Sequence, residues 1–170
     1  GRFSLHGREM ADWIQPMLPG LSSKMSRILQ AAALLSDIGW TEHPDYRALH
    51  SFIRILRLPM AGITHHERVF LALAIYVRYN GWRNQYEVKQ VRSLLSKEER
   101  QTAATIGLSL RLAHVLTGGV PGLLCRTSLS LSEGGISLDL TSDRRLFSSS
   151  AVETIVRNLA KERGVSYKIR

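Results

Sequence analysis

Few of the histidines and carboxylates in this sequence are spaced as metal ligands or as acid–base pairs. His65, His66 and Glu67 form the densest run. Adjacent residues on a helix point about 100° apart, whereas a helical zinc pair needs two histidines four residues apart on one face. We therefore expect His65 and His66 to cap or flank a helix at the surface. Asp37 and Asp45 have no partner carboxylate at a spacing that favours acid–base catalysis.

Basic side chains recur at spacings that suit the binding of phosphate groups. Arg47, His50 and Arg54 stand at positions i, i+3 and i+7, which places them on one face of a helix. Arginine binds phosphate oxygens bidentately, and lysine binds them as a point charge. A plain solvent-exposed helix face is the alternative interpretation of this set.

A second basic stretch covers residues 78–92, where four cations accompany the single acid Glu87. Arg78 lies in an apolar segment, and a buried arginine needs either a carboxylate or a ligand phosphate as its partner. Of the two, we expect a structural ion pair. The basic members of the stretch are Arg78, Arg83, Lys89 and Arg92.

The composition is that of a folded globular chain with a cationic surface. The 170 residues include 23 Lys and Arg against 14 Asp and Glu, a formal net charge of +9, and 44% of them are hydrophobic. These fractions exclude an intrinsically disordered or collagen-like chain. No apolar run approaches the roughly 20 residues of a membrane span, so no membrane partner is expected. The excess of positive charge favours polyanionic partners.

The sequence contains one cysteine and none of the common nucleotide or nucleophile motifs. Cys125 alone supports neither an internal disulfide nor a multi-cysteine zinc site, so a reducing, cytoplasmic location is expected. The patterns GxGxxG, GxSxG and CxxC and the Walker loop are absent. Cys125 falls in a predicted strand, where we expect it to be a small buried apolar side chain.

Hydrophobic periodicity predicts helices up to about residue 117. Residues 66–81 are apolar on most sides and are therefore expected to form the central helix. Ser96 and Glu99 form a capping box at the start of the last helix of this region. Pro16 weakens the first predicted helix of the chain. The predicted helices are 7–18, 22–39, 46–58, 66–81 and 96–119.

After Pro121 the period changes from helical to alternating. Residues 124–131 and 135–140 alternate on either side of a glycine pair, which predicts a β-hairpin. Residues 148–163 return to helical spacing, and residues 165–169 predict a last strand. A ββαβ unit of this size is too small to be stable alone, so we expect it to dock on the helices.

The helical region resembles the HD superfamily of all-helical phosphohydrolases. The resemblance rests on AAALLSDIGW at residues 31–40 and on RLAHVL at residues 111–116. In that superfamily a His-Asp doublet, a further histidine and a distant aspartate bind the metal. Here Ser36 precedes Asp37, and His114 stands in place of the distant aspartate, so two metal donors are missing. The resemblance implies a degenerate centre without metal, in which Asp37 makes a structural hydrogen bond.

A more specific resemblance covers residues 27–118. The segments RILQAAALLSDIGW, HPDYRALHSFIRIL, ERVFLALAIYVRYN and LSLRLAHVLTGG resemble, in order, the C-terminal region of the exopolyphosphatase and guanosine pentaphosphate phosphohydrolase family. Members of that family carry their phosphate-binding loops and catalytic carboxylate on a pair of N-terminal actin-like domains, which these residues do not include. The resemblance implies a mainly α fold, with an HD-like helical domain at residues 1–118 and a small α+β subdomain at residues 119–170.

The same resemblance implies a function. In the family this region helps to bind polyphosphate and supports dimerisation, so the expected partners are polyphosphate or another polyanion, the actin-like domains and a second copy. The parent protein is expected to release terminal phosphate from polyphosphate or guanosine pentaphosphate with Mg²⁺, while this chain alone is expected to be inactive and without a cofactor. Polyphosphate carries about one charge per phosphate and has no base edges, so regularly spaced Lys and Arg suit it. The candidate polyphosphate-binding residues are Arg47, His50, Arg54, Arg78, Arg83, Lys89 and Arg92.

Three alternatives remain open at this point. An autonomous HD phosphohydrolase would need a metal, which Ser36 and His114 disfavour. A nucleic-acid-binding helical module is compatible with the charge, but no basic segment is interleaved with aromatic residues for base stacking. A module for dimerisation, with an exposed apolar face, is compatible with the accessory-domain hypothesis.

Overall fold

The computed structural model describes residues 2–81, 85–140, 147 and 149–170. These residues form seven α-helices, a three-stranded sheet and two single 3₁₀ turns, at Gln15–Met17 and Leu124–Arg126. The predicted fold class, mainly α with a small C-terminal α+β unit, is confirmed. In chain order the elements are α1 (Arg2–Ile14), α2 (Ser23–Leu34), α3 (Pro44–Arg57), α4 (His65–Arg78), α5 (Tyr86–Arg92), α6 (Lys97–Thr117), β1 (Ser128–Ser132), β2 (Gly135–Asp139), α7 (Ser150–Arg163) and β3 (Tyr167–Ile169).

Side-chain caps define the starts of the main helices. The Ser96 side chain accepts a hydrogen bond from the Glu99 N–H while the Glu99 carboxylate accepts one from the Ser96 N–H, so the predicted capping box of α6 is confirmed. Thr64 and Glu67 form a second box at the start of α4. The Glu67 side chain is buried, yet hydrogen bonds from Thr64 lower its pKa to about 2. It also pairs with Arg27 on α2, at 3.1 Å, which ties α4 to α2.

Helix α4 is the centre of the molecule, as its apolar sequence predicts. Every residue from Val69 to Arg78 is buried, between α3 on one side and α6 on the other. The two central helices approach closely at Gly107 of α6, because a Cβ atom there would lie 2.4 Å from the Ala74 carbonyl oxygen. The distance between α4 and α6 is therefore set by a backbone contact that glycine permits.

Helix α2 ends earlier than its sequence predicts. The expected end was Gly39, but the last helical residue is Leu34, and residues 35–40 form successive turns. Within them the Ser36 and Ile38 N–H groups bond to carbonyls three residues back rather than four. The prediction of a continuous helix was wrong because apolar periodicity does not report the side chains that hold these turns, described below.

The C-terminal residues form the predicted ββαβ order. Strand β1 pairs antiparallel with β2, in a register that joins Ser128 to Asp139. After β2 the chain returns through α7, and β3 lies parallel to β2, with Ile136 opposite Tyr167. The buried face of α7 packs on α6 and the sheet, and Gln101 of α6 donates a hydrogen bond to the Glu162 carbonyl of α7.

Two side chains of α1, Trp13 and Glu9, fasten this C-terminal unit to the helix. The indole N–H of Trp13 donates to the Thr127 hydroxyl at 3.1 Å. The Glu9 carboxylate accepts hydrogen bonds from the N–H groups of Gly122 and Leu124, at 2.9 and 3.0 Å. The apolar residues of the sheet and of α7 belong to the same core cluster as those of the helices. The unit thus docks on the helices as expected, while a domain boundary between residues 118 and 119 stays a prediction.

Two local expectations were wrong. Residues 124–126 form a 3₁₀ turn instead of the start of a strand, and Cys125 is exposed, with its Sγ 3.1 Å from the Gly122 carbonyl oxygen. Helix α5 was not predicted, because its seven residues are too few to show a clear period, although Val88 is fully buried. No helix in the described ranges is both long and apolar enough to cross a bilayer.

The close approach of α4 and α6 makes Gly107 sensitive to a single added methyl group. We expect Gly107→Ala to lower the free energy of unfolding by about 2 kcal/mol, the usual size of an overpacking penalty in a dense core. Urea denaturation measures it. The matched control is Gly134→Ala, whose added Cβ would meet no atom nearer than Ser132 Oγ at 3.8 Å. An equal effect of both substitutions would contradict the close-packing argument.

Candidate functional site

The structure brings together three residues that lie far apart in the sequence: Asp37, Arg78 and His114. Asp37 stands in the turns after α2, Arg78 is the last residue of α4, and His114 lies in the last turn of α6. The Arg78 Nη2 atom donates to Asp37 Oδ1 at 3.0 Å. The His114 Nδ1 atom lies 3.9 Å from the same oxygen. Asp37 and His114, which the resemblance to HD phosphohydrolases singled out, therefore lie close together, and Arg78 binds the same Asp37 oxygen.

Arg78 is held in this place with little exposure to solvent. Its side chain is 7% exposed, and burial lowers the pKa of its guanidinium, while Tyr79 and Asp37 oppose that effect. The guanidinium also lies 4.5 Å from the centre of the Tyr79 ring. The ion pair expected for Arg78 is present, and its partner is the Asp37 carboxylate.

The donor set around Asp37 is a poor fit for a divalent metal ion. One Asp37 oxygen already accepts the Arg78 hydrogen bond, and burial together with Arg78 lowers the pKa of His114. Ser36 is buried at the position where the doublet histidine would stand. Nowhere in the described part of the chain do three or more His, Cys, Asp or Glu residues meet as a possible metal site. The positive charge beside Asp37 comes from a guanidinium.

Two arginines of α3 hold the turns that carry Asp37. Arg47 donates to the carbonyl oxygens of Trp40 and Glu42, at 3.3 and 3.0 Å, and Arg54 donates to that of Ile38 at 3.1 Å. The Arg47 guanidinium also lies over the Trp40 ring, 5.6 Å from its centre. We call residues 35–42 the clamped loop. These bonds explain why α2 does not continue to Gly39.

The predicted basic face of α3 is thus partly engaged in holding this loop. Arg47, His50 and Arg54 do share a face, but each has a partner in the clamped loop, His50 through Glu42 at 2.9 Å. Of the residues proposed from the 78–92 stretch, Lys89 is exposed on α5 and Arg92 is half-buried. Arg83 lies outside the described residues. Polyphosphate binding by these seven residues stays a prediction.

A cleft of about 850 Å³ lies between α5, α6 and α7, with α4 at its base. Four cations line it, Arg92 from α5, Lys97 and Arg100 from α6 and Lys161 from α7. Glu162 is the single acid among the described lining residues. The apolar lining residues are almost fully buried beneath these polar groups; they include Leu73, Tyr76, Val77, Val88, Ala104 and Leu108.

Three of the four cleft cations are unneutralised. Within the described ranges, Lys97, Arg100 and Lys161 make no ion pair and no side-chain hydrogen bond. Sequence reasoning found Arg92 and missed these three. The only signal was the i, i+3 spacing of Lys97 and Arg100, because the approach of Lys161 depends on how α7 packs on α6.

The Asp37–Arg78 pair gives a stability prediction. We expect Asp37→Ala to lower the free energy of unfolding by about 3 kcal/mol, because it leaves the buried Arg78 charge without its carboxylate. Adding Arg78→Met should recover part of the loss, because the double variant buries no charge. Asp12→Ala, at an exposed position of α1, is the control and should change stability by less than about 0.5 kcal/mol. Urea denaturation would contradict the argument if Asp37→Ala behaved like the control.

No curated protein matches this chain. The family described as "Exopolyphosphatase, C-terminal" does match, over residues 1–168, which is nearly the full length. The resemblance inferred from residues 27–118 is therefore confirmed and extends through the sheet and α7. The chain belongs to the exopolyphosphatase C-terminal family.

Proposed function

We propose that this chain is a non-catalytic accessory domain of an exopolyphosphatase-like hydrolase and that it binds polyphosphate in the cleft between α5, α6 and α7. The supporting observation is the convergence of Arg92, Lys97, Arg100 and Lys161 on one concave surface whose lining includes a single acid. A linear polyanion neutralises such a row of cations and releases its counterions. Because the chain belongs to the exopolyphosphatase C-terminal family, polyphosphate is the polyanion that we expect the cleft to bind.

The lining of the cleft favours a ligand without an apolar part. The apolar side chains at its base, such as Tyr76 and Leu108, are at most a few per cent exposed, so a ligand gains little from contact with them. Base stacking needs an aromatic face that a nucleotide can reach, and Tyr76 is 1% exposed. Polyphosphate, which has phosphate oxygens and no bases, matches what the cleft exposes.

In this proposal the hydrolysis of the phosphoanhydride bond takes place on other domains of the parent protein, where Mg²⁺ would act. Asp37 supports that division, because its carboxylate is committed to Arg78. The role of this chain is to hold the polyphosphate chain by charge-assisted hydrogen bonds. Formation of a homodimer, docking to actin-like domains and a cytoplasmic location stay predictions.

Cleft binding predicts a position-dependent effect of charge removal. We expect Arg100→Gln with Lys161→Gln to weaken polyphosphate binding at least about tenfold, since each loses a charge-assisted hydrogen bond. The slope of log K against log salt should fall by about 1.4, at about 0.7 per lost contact with a single-stranded polyanion. Fluorescence anisotropy with labelled polyphosphate at several salt concentrations measures both quantities.

The control has the same charge change at other places. Arg8→Gln with Lys168→Gln removes two exposed cations of α1 and β3. It should lower affinity less than about twofold, through the long-range field alone. Equal losses in the two double variants, or equal displacement by single-stranded RNA, would show that the +9 charge acts without an organised site.

The α3 residues need a separate test, because Arg47 and Arg54 support the clamped loop. Any loss of polyphosphate affinity in their variants has to be compared with the loss of folding stability. If Arg47→Lys, which keeps the charge, lowers stability without changing affinity, then Arg47 serves the loop rather than the ligand.

A further inference from the structure

One arginine beyond the end of the cleft continues its row of cations. Positions 97, 100, 104, 108 and 111 of α6 follow spacings of three and four and so share one face. Lys97, Arg100, Ala104 and Leu108 line the cleft, and Arg111 stands one turn further, about 16 Å along the axis from Arg100. Arg111 donates to the Asn80 side-chain oxygen, and Asn80 is itself a cleft residue. Arg111 is therefore contiguous with the cleft.

The surroundings of Arg111 carry more positive than negative charge. Partial burial lowers the pKa of the Arg111 guanidinium, and the nearby positive charge of Arg78 lowers it further. His114 follows Arg111 by three residues on α6, so the two side chains are neighbours on the helix surface. Asp37, Arg78, Arg47 and His6 act electrostatically on His114, and Asp37 is the one carboxylate among them.

The hydrogen-bonding capacity of this cluster is not used up. The bond of Arg111 to Asn80 engages one nitrogen of its guanidinium with a neutral amide. The Nε atom of Arg78 is buried and has no hydrogen-bond partner in the described part of the chain. The Nδ1 side of His114 faces Asp37, which leaves Nε2 directed away from that carboxylate. Donors and positive charge are thus in excess over acceptors.

We infer that Arg111 and His114 bind a phosphate dianion at the end of the cleft, supported from behind by the buried charge of Arg78. Two sources share this chemistry, free inorganic phosphate and the terminal phosphate of a linear polyphosphate. The second source rests on the proposed function of the cleft, and the first does not. The terminal group differs from internal phosphates because it ionises a second time, with a pKa near 6 for an ordinary phosphomonoester.

The chemistry of the residues suits a terminal group. Arginine donates two parallel hydrogen bonds to phosphate oxygens, a geometry that a terminal phosphate with three free oxygens accepts more readily than an internal one with two. A neighbouring imidazole N–H can donate a third bond. The cleft would then hold the body of the chain while Arg111 and His114 hold its end.

The test uses the 170-residue chain and three probes: inorganic phosphate, linear tripolyphosphate and cyclic trimetaphosphate, which has no terminal group. Binding is followed by calorimetry and by the NMR shifts of the His114 ring at constant pH. We expect phosphate and tripolyphosphate to shift the His114 signals in a saturable way and trimetaphosphate to leave them unchanged. Arg111→Gln should weaken the first two at least about tenfold, as expected for a lost charge-assisted bond.

Two further variants separate the possible outcomes. Arg111→Lys keeps the charge and should retain part of the affinity, and urea denaturation verifies that both Arg111 variants fold. In Arg100→Gln with Lys161→Gln the shift of His114 by phosphate should persist, so loss of the cleft would not imply loss of this site. Unchanged affinity in folded Arg111→Gln, no response of His114 to either linear probe, or an equal response to trimetaphosphate would overturn the inference.

Discussion

The buried guanidinium of Arg78 is the constraint on which the candidate site depends. A charge removed from water costs several kcal/mol unless nearby groups compensate it, and here Asp37 and the Tyr79 ring do so. Asp37 reaches Arg78 because the chain leaves the α-helical path at Leu34. The turns that follow expose several carbonyl groups, which α3 satisfies with Arg47 and Arg54. The buried cation, the turns after α2 and the two arginines of α3 are thus linked by consecutive hydrogen bonds.

Basic side chains serve two purposes in this chain, and the packing around each one decides which purpose it serves. Arg47, Arg54 and Arg78 point at carbonyl and carboxylate oxygens of the protein, where their charge is balanced. Lys97, Arg100 and Lys161 face the cleft and have no such partner within the described ranges. Apart from Arg78, whose apolar segment already favoured an ion pair, the sequence does not separate these residues, because spacing along a helix reports the face and not what lies opposite it.

The features that the sequence predicts well depend on neighbours along the chain. The capping box joins Ser96 to Glu99, three residues later. The central position of α4 follows from the apolar side chains of its own sequence. The features it misses depend on distant contacts. Cys125 is exposed in a turn whose neighbouring N–H groups, of Gly122 and Leu124, bond to Glu9, more than 100 positions earlier. The cleft needs α7 to pack on α6, which no local pattern encodes.

The phosphate site that we infer would use a guanidinium beside Asp37 where the resemblance to HD phosphohydrolases places a metal ion. A metal ion beside Asp37 would attract phosphate through a concentrated positive charge with exchangeable ligands. A guanidinium in that position supplies a permanent charge that cannot be removed by chelation or by a change of pH in the physiological range. It cannot polarise water for attack as a metal does, so in the proposed function it would attract anions without catalysing hydrolysis. In that proposal, the partly exposed Arg111 and His114 are the side chains through which this positive charge would reach an anion in solvent.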